Sequence, residues 1–166
     1  MKIKYIVGDS PLGRLLAGAT GQGICMVSLG DDDQGLIKAL HLEFPEAELE
    51  ADQDGLKETV AIILDYLSGR RPHPDLPVDI RTTPFRLKVY EALKAIPYGR
   101  TCSYEEIAQA VGNPKAIRAV GGACAANPVA LVIPCHRVVR KDGSLGGYRW
   151  GIERKAILLE MERRRR

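Results

Sequence analysis

Three prolines within eight residues, Arg70-Arg71-Pro72-His73-Pro74-Asp75-Leu76-Pro77, exclude a helix or a central strand at that point. Proline fixes φ and lacks a backbone donor, so a run this dense reads as a linker between two stretches of different character. Ahead of it, residues 2–8 and 12–19 predict two β-strands joined at Asp9-Ser10-Pro11, and 24–29 predicts a third. Leu36, Ile37, Leu40 and Phe44 then recur at helical spacing until Pro45. Leu56, Val60, Ile63, Leu64 and Leu67 mark one face of a second helix that ends before Gly69. The expectation is an N-terminal α/β domain over 1–77, a three-stranded sheet with helices, followed by a second domain over 78–166.

The second domain reads as mostly helical. Thr83 before Pro84 is a cap followed by proline at the first helical position, and Phe85, Val89, Leu93 and Ile96 form the apolar side. Ser103-Tyr104-Glu105-Glu106 is a capping box that opens a helix running through Val111. Gly112-Asn113-Pro114 is expected to end that helix and cap the next, from Pro114 to about Ala126. Two short helices about a glycine-containing turn make a helix-turn-helix, which taken alone more often serves plain packing than DNA binding. The second of them carries Ala116, Ala119, Gly121, Gly122, Ala123, Ala125 and Ala126, with Arg118 among them. Adjacent glycines weaken a helix by about 1 kcal/mol each relative to alanine, so another surface must come close. Either a neighbouring helix packs tightly there, or the face enters a narrow groove. A helix is about 10–12 Å across and the minor groove of B-DNA about 6 Å wide.

At 166 residues the chain can bury one good core, or a core with a small lobe. No apolar run reaches the roughly 18–20 residues needed to span a bilayer, and the opening residues lack the block of a secretory signal. A cytoplasmic protein with no membrane partner is expected. The net charge of +3 is mild, but acids such as Asp31, Asp32, Asp33, Glu48 and Glu50 crowd the first third while basic residues dominate from Arg81 onward. A basic C-terminal portion suits a polyanion; the closing Arg163–Arg166 run alone reads as a solvated tail. Cys25, Cys102, Cys124 and Cys135, with His41, His73 and His136, show no zinc-site spacing, and free thiols are expected.

The chemistry concentrates in Asn127-Pro128-Val129-Ala130-Leu131-Val132-Ile133-Pro134-Cys135-His136-Arg137-Val138. In a regular strand, neighbouring side chains point to opposite faces, so Cys135 and His136 can cooperate only if the chain turns, as Pro134 permits. A thiol with an ordinary pKa near 8.5 is a poor nucleophile at neutral pH unless a base takes its proton or a neighbour stabilises its thiolate. His136 can be that base, and a carboxylate behind it would fix its tautomer. Glu153, Glu160 and Glu162 are the candidates on the last helix. A structural cysteine beside a capping histidine is the alternative for the isolated pair.

The wider context resembles the O6-alkylguanine-DNA alkyltransferases, also called methylated-DNA–protein-cysteine methyltransferases. The likeness runs through Ser103-Tyr104, Gly112-Asn113-Pro114, Arg118-Ala119-Val120-Gly121-Gly122, Asn127-Pro128, Pro134-Cys135-His136-Arg137, Gly146-Gly147-Tyr148 and Leu158-Leu159 up to Glu162. It implies an RNase H-like N-terminal lobe, and a C-terminal alkyltransferase domain that places its Ala/Gly-rich helix in the minor groove. The resemblance makes Cys135 the alkyl acceptor, His136 the base, Glu162 its orienting carboxylate and Asn127 the brace of the turn. It makes Tyr104 the donor to the guanine ring and Arg118 the finger that fills the stack when the base flips out. Asn113 and Lys141 would touch phosphates, Ala119 and Gly122 would lie at the DNA, and Val138, Tyr148 and Arg149 would border the guanine pocket.

The implied reaction moves an alkyl group from O6 of guanine, or O4 of thymine, in double-stranded DNA to Cys135. The product is a thioether that water cannot reverse, so each monomer acts once and needs no cofactor. Arg149 and Trp150 depart from relatives with smaller residues there, which leaves lesion size open. Met161 stands where polar residues also occur. Relatives that bind lesions without repairing them carry tryptophan in place of the cysteine, and Cys135 speaks against that class. Two rivals remain: a non-catalytic DNA-binding module, and a cysteine hydrolase in which Arg118 and the helix pair have no role.

Overall fold

The computed structural model describes Met1–Arg165; Arg166, the last residue of the arginine tail, lies outside the described residues. The chain divides into two compact units, one formed by Met1–Ile80 with Pro128–Val132, the other by Arg81–Asn127 with the chain from Ile133 on.

The first unit is built on four strands, β1 (Lys2–Ser10), β2 (Gly13–Thr20), β3 (Gly23–Gly30) and β4 (Glu48–Ala51), in the order β3-β2-β1-β4. β1, β2 and β3 are antiparallel neighbours, whereas β4 runs parallel to β1. The three-strand expectation therefore falls short by one. β4 reads Glu-Leu-Glu-Ala, too acidic and too short to look like a strand, and what places it is the neighbouring strand: Lys2 lies opposite Glu48 and Lys4 opposite Glu50. Lys2 pairs with Glu50 at 2.8 Å, and Lys4 with Asp52 at 3.6 Å. The acids that crowd the first third are thus partly the edge of a sheet.

Helices α1 (Asp33–Glu43) and α2 (Lys57–Leu67) complete this unit. Asp32 caps α1 by accepting from Gly35 N–H. Leu36 and Leu40 of α1 join Ile3, Leu16, Cys25 and Met26 in one buried cluster. The remaining edge of β3 is met at single points by Val78 and by Val129. This is how five residues from late in the chain come to belong to the first unit. The segment 128–132 also contains Leu131, the one residue other than glycine with a positive φ (71°) among the described residues; it is almost fully buried.

The second unit holds α3 (Pro84–Lys94), α4 (Tyr104–Ala110), α5 (Ile117–Ala126) and α6 (Ile152–Arg165), with a minimal parallel pair, β5 (Cys102–Ser103) and β6 (Val138–Val139). Thr83 accepts from Arg86 N–H ahead of Pro84, and Ser103 and Glu106 form the reciprocal capping box. Val89, Tyr90 and Leu93 bury one side of α3, and the Tyr90 hydroxyl donates to the carbonyl of Ala123 at 2.8 Å, tying α3 to α5. α5 starts at Ile117, three residues later than expected. Asn113–Ala116 closes as a separate turn, with Ala116 N–H donating to Asn113 O, and no side chain caps the helix.

Candidate active site

At the end of α5, Asn127 is fully buried. Its amide donates to Ile133 O at 3.0 Å and to Cys135 Sγ at 3.3 Å. One side chain thereby holds both the approach to the cysteine and the sulfur itself. Pro134 then gives way to a single 3₁₀ turn, Cys135–Arg137, which puts Cys135 and His136 on a shared bend rather than on opposite faces of a strand.

Behind the sulfur sits a buried ionic group. His136 Nε2 lies 2.9 Å from Glu162 Oε2. Arg137 donates from Nε to Oε1 and from Nη2 to Oε2 of the same carboxylate, both at 2.9 Å, and from Nη1 to Ile96 O at 2.8 Å. His136, Arg137 and Glu162 are at most 1% exposed. Of the three candidate carboxylates, Glu162 meets the histidine. Glu160 bonds Arg163 and Arg164 on the outer side of α6, and Glu153 is exposed.

The charge states follow from this burial. Burial works against the Glu162 charge, but hydrogen bonds from His136 and Arg137 outweigh it and hold the carboxyl at about 2. Burial lowers His136 below its ordinary value against the pull of Glu162, so the ring is neutral at pH 7. With Nε2–H given to the carboxylate, Nδ1 keeps the lone pair and the ring can act as a base. Burial pushes the Cys135 thiol up to about 11, opposed by the Asn127 hydrogen bond and by the charges of Lys155 and Arg149. At rest the sulfur is a thiol, and its proton must leave before it can attack.

Cys135 opens into a cavity of about 500 Å³. Tyr104, Gly121, Cys124, Tyr148 and Arg149 share its wall, which is mostly apolar. Tyr104 is the first residue of α4, its backbone fixed by the capping box just before it, and burial raises its hydroxyl to about 12, so it stays protonated. Gly146 makes room for it. A Cβ at that position would stand 2.8 Å from the Tyr104 hydroxyl, and its φ of 73° suits glycine. Val138, expected at the pocket border, does not line the cavity; it is fully buried in β6, and its carbonyl is taken by Lys155.

Lys155 is the residue that sequence reasoning missed. It is fully buried, and its ammonium donates to Val138 O, Leu145 O and Gly147 O, the last at 3.1 Å. It also lies 5.8 Å from the centre of the Tyr104 ring. A signal was available: Lys155, Leu158 and Glu162 share one helical face, and a lysine on a buried face needs a purpose.

The residues expected at DNA lie elsewhere on the unit. Arg118, Ala119, Gly122 and Asn113 are exposed. A Cβ built at Gly121 or Gly122 meets nothing within 4 Å, so tight packing against another helix does not account for the bare face among the described residues. Lys141 is exposed and pairs with Glu105 at 3.3 Å.

A thiol-bearing pocket joined to a glycine-faced helix, preceded by a sheet domain, defines a class, and comparison names it. Residues 84–164 match the model for the DNA-binding domain of 6-O-methylguanine DNA methyltransferase, and 3–80 match the model for its ribonuclease-like domain. The chain belongs to the 6-O-methylguanine DNA methyltransferase family. The bifunctional transcriptional activator/DNA repair enzyme Ada of Escherichia coli is 47% identical over 98% of this chain. The chain spans about half (46%) of that relative's length. The methylated-DNA–protein-cysteine methyltransferase of Mycolicibacterium paratuberculosis is 38% identical over 98% of this chain and 93% of its own. The solved structure of the Mycobacterium tuberculosis OGT in complex with DNA superposes with a TM-score of 0.82 at 35% identity, covering 98% of this chain and 94% of that one. No helix among the described residues is long and apolar enough to cross a membrane.

Proposed function

We propose that this chain takes the alkyl group from O6 of guanine, and from O4 of thymine, in double-stranded DNA and keeps it on Cys135. The observation that carries this reading is a buried thiol that opens into an apolar cavity, braced by Asn127 and backed by the His136–Glu162 pair. The Cys135 proton passes to Nδ1 of His136 while Glu162 steadies the resulting imidazolium. Sγ attacks the saturated alkyl carbon, the carbon–O6 bond breaks, and its electron pair goes to the purine. Tyr104, held protonated, donates a hydrogen bond to the ring as that charge grows. Overall a thiol proton is exchanged for an alkyl group, and the proton ends on the released guanine.

Double-stranded DNA is the partner that the exposed face of α5 fits. Gly121, Gly122 and Ala119 leave it shallow, and Arg118 stands on it, where it can replace a flipped base. Asn113 and Lys141 reach phosphates in this reading, Lys141 exchanging Glu105 for them. The alkyl acceptor, its base and the carboxylate behind it stand within one unit of one chain, and the reading is of a monomer. The four cysteines form no disulfide, which suits the cytoplasm.

Intact-protein mass spectrometry after mixing with an oligonucleotide containing O6-methylguanine tests the reaction. One methyl per chain is expected, on the peptide that holds Cys135. Multiple turnovers, or a methyl on Cys124, would overturn it. Arg118→Ala should slow repair of duplex at least tenfold more than reaction with the free alkylguanine base, since only the duplex requires flipping, a step worth a few kcal/mol. Equal slowing of both removes the finger role.

A further inference from the structure

The Arg149 side chain does something the backbone at that position does not explain. Its Nη1 donates to the carbonyl of Asn127 at 2.9 Å and lies 3.4 Å from that of Ala126. Its guanidinium carbon stands 5.7 Å from the centre of the Trp150 ring. Those two carbonyls end α5, where the helix dipole is negative, so a cation is favoured there. The same side chain lines the cavity into which Cys135 opens. The residue whose carbonyl it grips is the one whose amide donates to the sulfur. The chain of contacts therefore runs from the guanidinium through Asn127 to Sγ.

We infer that Arg149 is a positioning residue: clamped on the C-terminal end of α5, it holds Asn127 against Cys135 and sets a positive charge at the cavity wall that stabilises the sulfur as it ionises. The inference deepens the proposed alkyl transfer and rests on that reading for its purpose, though not for its test. Of the other groups around the sulfur, Lys155 also favours its ionised form, but from a place held by other carbonyls than those that end α5. From α3 and α4 come the hydroxyls of Tyr90 and Tyr104, and from α5 the thiol of Cys124, all with raised pKa and neutral. Tyr148 is likewise neutral. From α6 come Lys155, whose ammonium already donates to three carbonyls, and Glu162, neutralised by Arg137. Arg140 also borders the cavity, from the segment that follows β6. The direct influence of Arg149 on the thiol is downward, the direction the geometry requires.

The test is alkylation of Cys135 by iodoacetamide, a small neutral reagent that needs neither DNA nor a purine pocket. It is followed on the full chain by peptide mass spectrometry, in wild type, Arg149→Met and Arg149→Lys. Arg149 is exposed, so its charge is felt through water and is open to screening. At about 0.01 M salt, Arg149→Met should react about three- to tenfold more slowly than wild type, and Arg149→Lys should recover most of the difference. At about 1 M salt, where the Debye length falls to about 3 Å, the gap should close to less than about twofold. No gap at low salt overturns the proposal, and so does a gap that salt leaves unchanged, which is what a merely structural role would give. Failure of methyl uptake from alkylguanine, with the salt-sensitive gap present, would remove the alkyltransferase reading and leave this one standing.

Discussion

Glu162→Gln should be the most damaging conservative change in the chain, slowing methyl uptake at least a hundredfold and destabilising the fold by about 3–5 kcal/mol. The carboxylate meets His136 on one oxygen and Arg137 on both, in a place with almost no solvent. Breaking a buried pair leaves its partner charge uncompensated, which is far costlier than never having buried it. The amide keeps one acceptor oxygen where His136 and Arg137 use two, so if its NH2 faces the imidazole the tautomer changes and Nδ1 is no longer assured as the base. Quench-flow of methyl uptake measures the first effect and urea unfolding the second. The pH dependence supplies a sign. Glu162 titrates at about 2 in the fold against an ordinary 4.5, so its contribution is complete above about pH 4.5 and disappears as pH falls toward 2. Wild type and Glu162→Gln should therefore converge in stability as the solution is acidified. A constant gap down to pH 2 would mean that the charge is not what holds this corner together.

Lys155→Met should be nearly as severe, for a different reason. Methionine keeps the length and fills the volume, but it leaves the carbonyls of Val138, Leu145 and Gly147 without their donor. A buried acceptor stripped of its partner costs about 1–3 kcal/mol; the Val138 bond is buried and the other two are part-buried, where water can replace the ammonium, so the loss should reach about 3–6 kcal/mol, lowering Tm by roughly 10 °C in a chain of this size. The damage should be local first. Amide exchange across 138–148 should accelerate more than exchange in α3, because that loop is what the ammonium ties to α6. Cys135 alkylation should slow as well, since one of the two positive charges that favour the ionised sulfur is gone. Uniform acceleration across the second unit would show instead that Lys155 supports the whole unit rather than this loop.

What could be read in advance, and what could not, divides along the reach of the interactions. Caps are local: Thr83, Ser103 with Glu106, and the proline run 72–77 act within four residues, and they stand in the structure as they stand in the chain. Strand β4 is not local; Glu48–Ala51 is a strand because Lys2 and Lys4 lie beside it. α5 starts later than Asn113 predicts, because Asn113 resembles a cap while its turn closes on itself at Ala116. In the site, the Cys135–His136 bend follows from Pro134, whereas the choice among Glu153, Glu160 and Glu162 stays open on the residues alone and is made by the family resemblance. The membership of 128–132 in the first unit, the burial of Val138 and the grip of Arg149 on the end of α5 depend on partners many residues away.

Selection for heat tolerance alone would rewrite α5. Alanine at Gly121 and Gly122 meets no obstacle within 4 Å and should strengthen the helix by about 1 kcal/mol at each position. The chain forgoes that gain, and packing among the described residues does not call for it to do so. A thermostabilised variant obtained by filling them would carry two new methyl groups on the flank that the proposed reading sets against the nucleic acid, and its hardiness would be a poor guide to whether it still repairs.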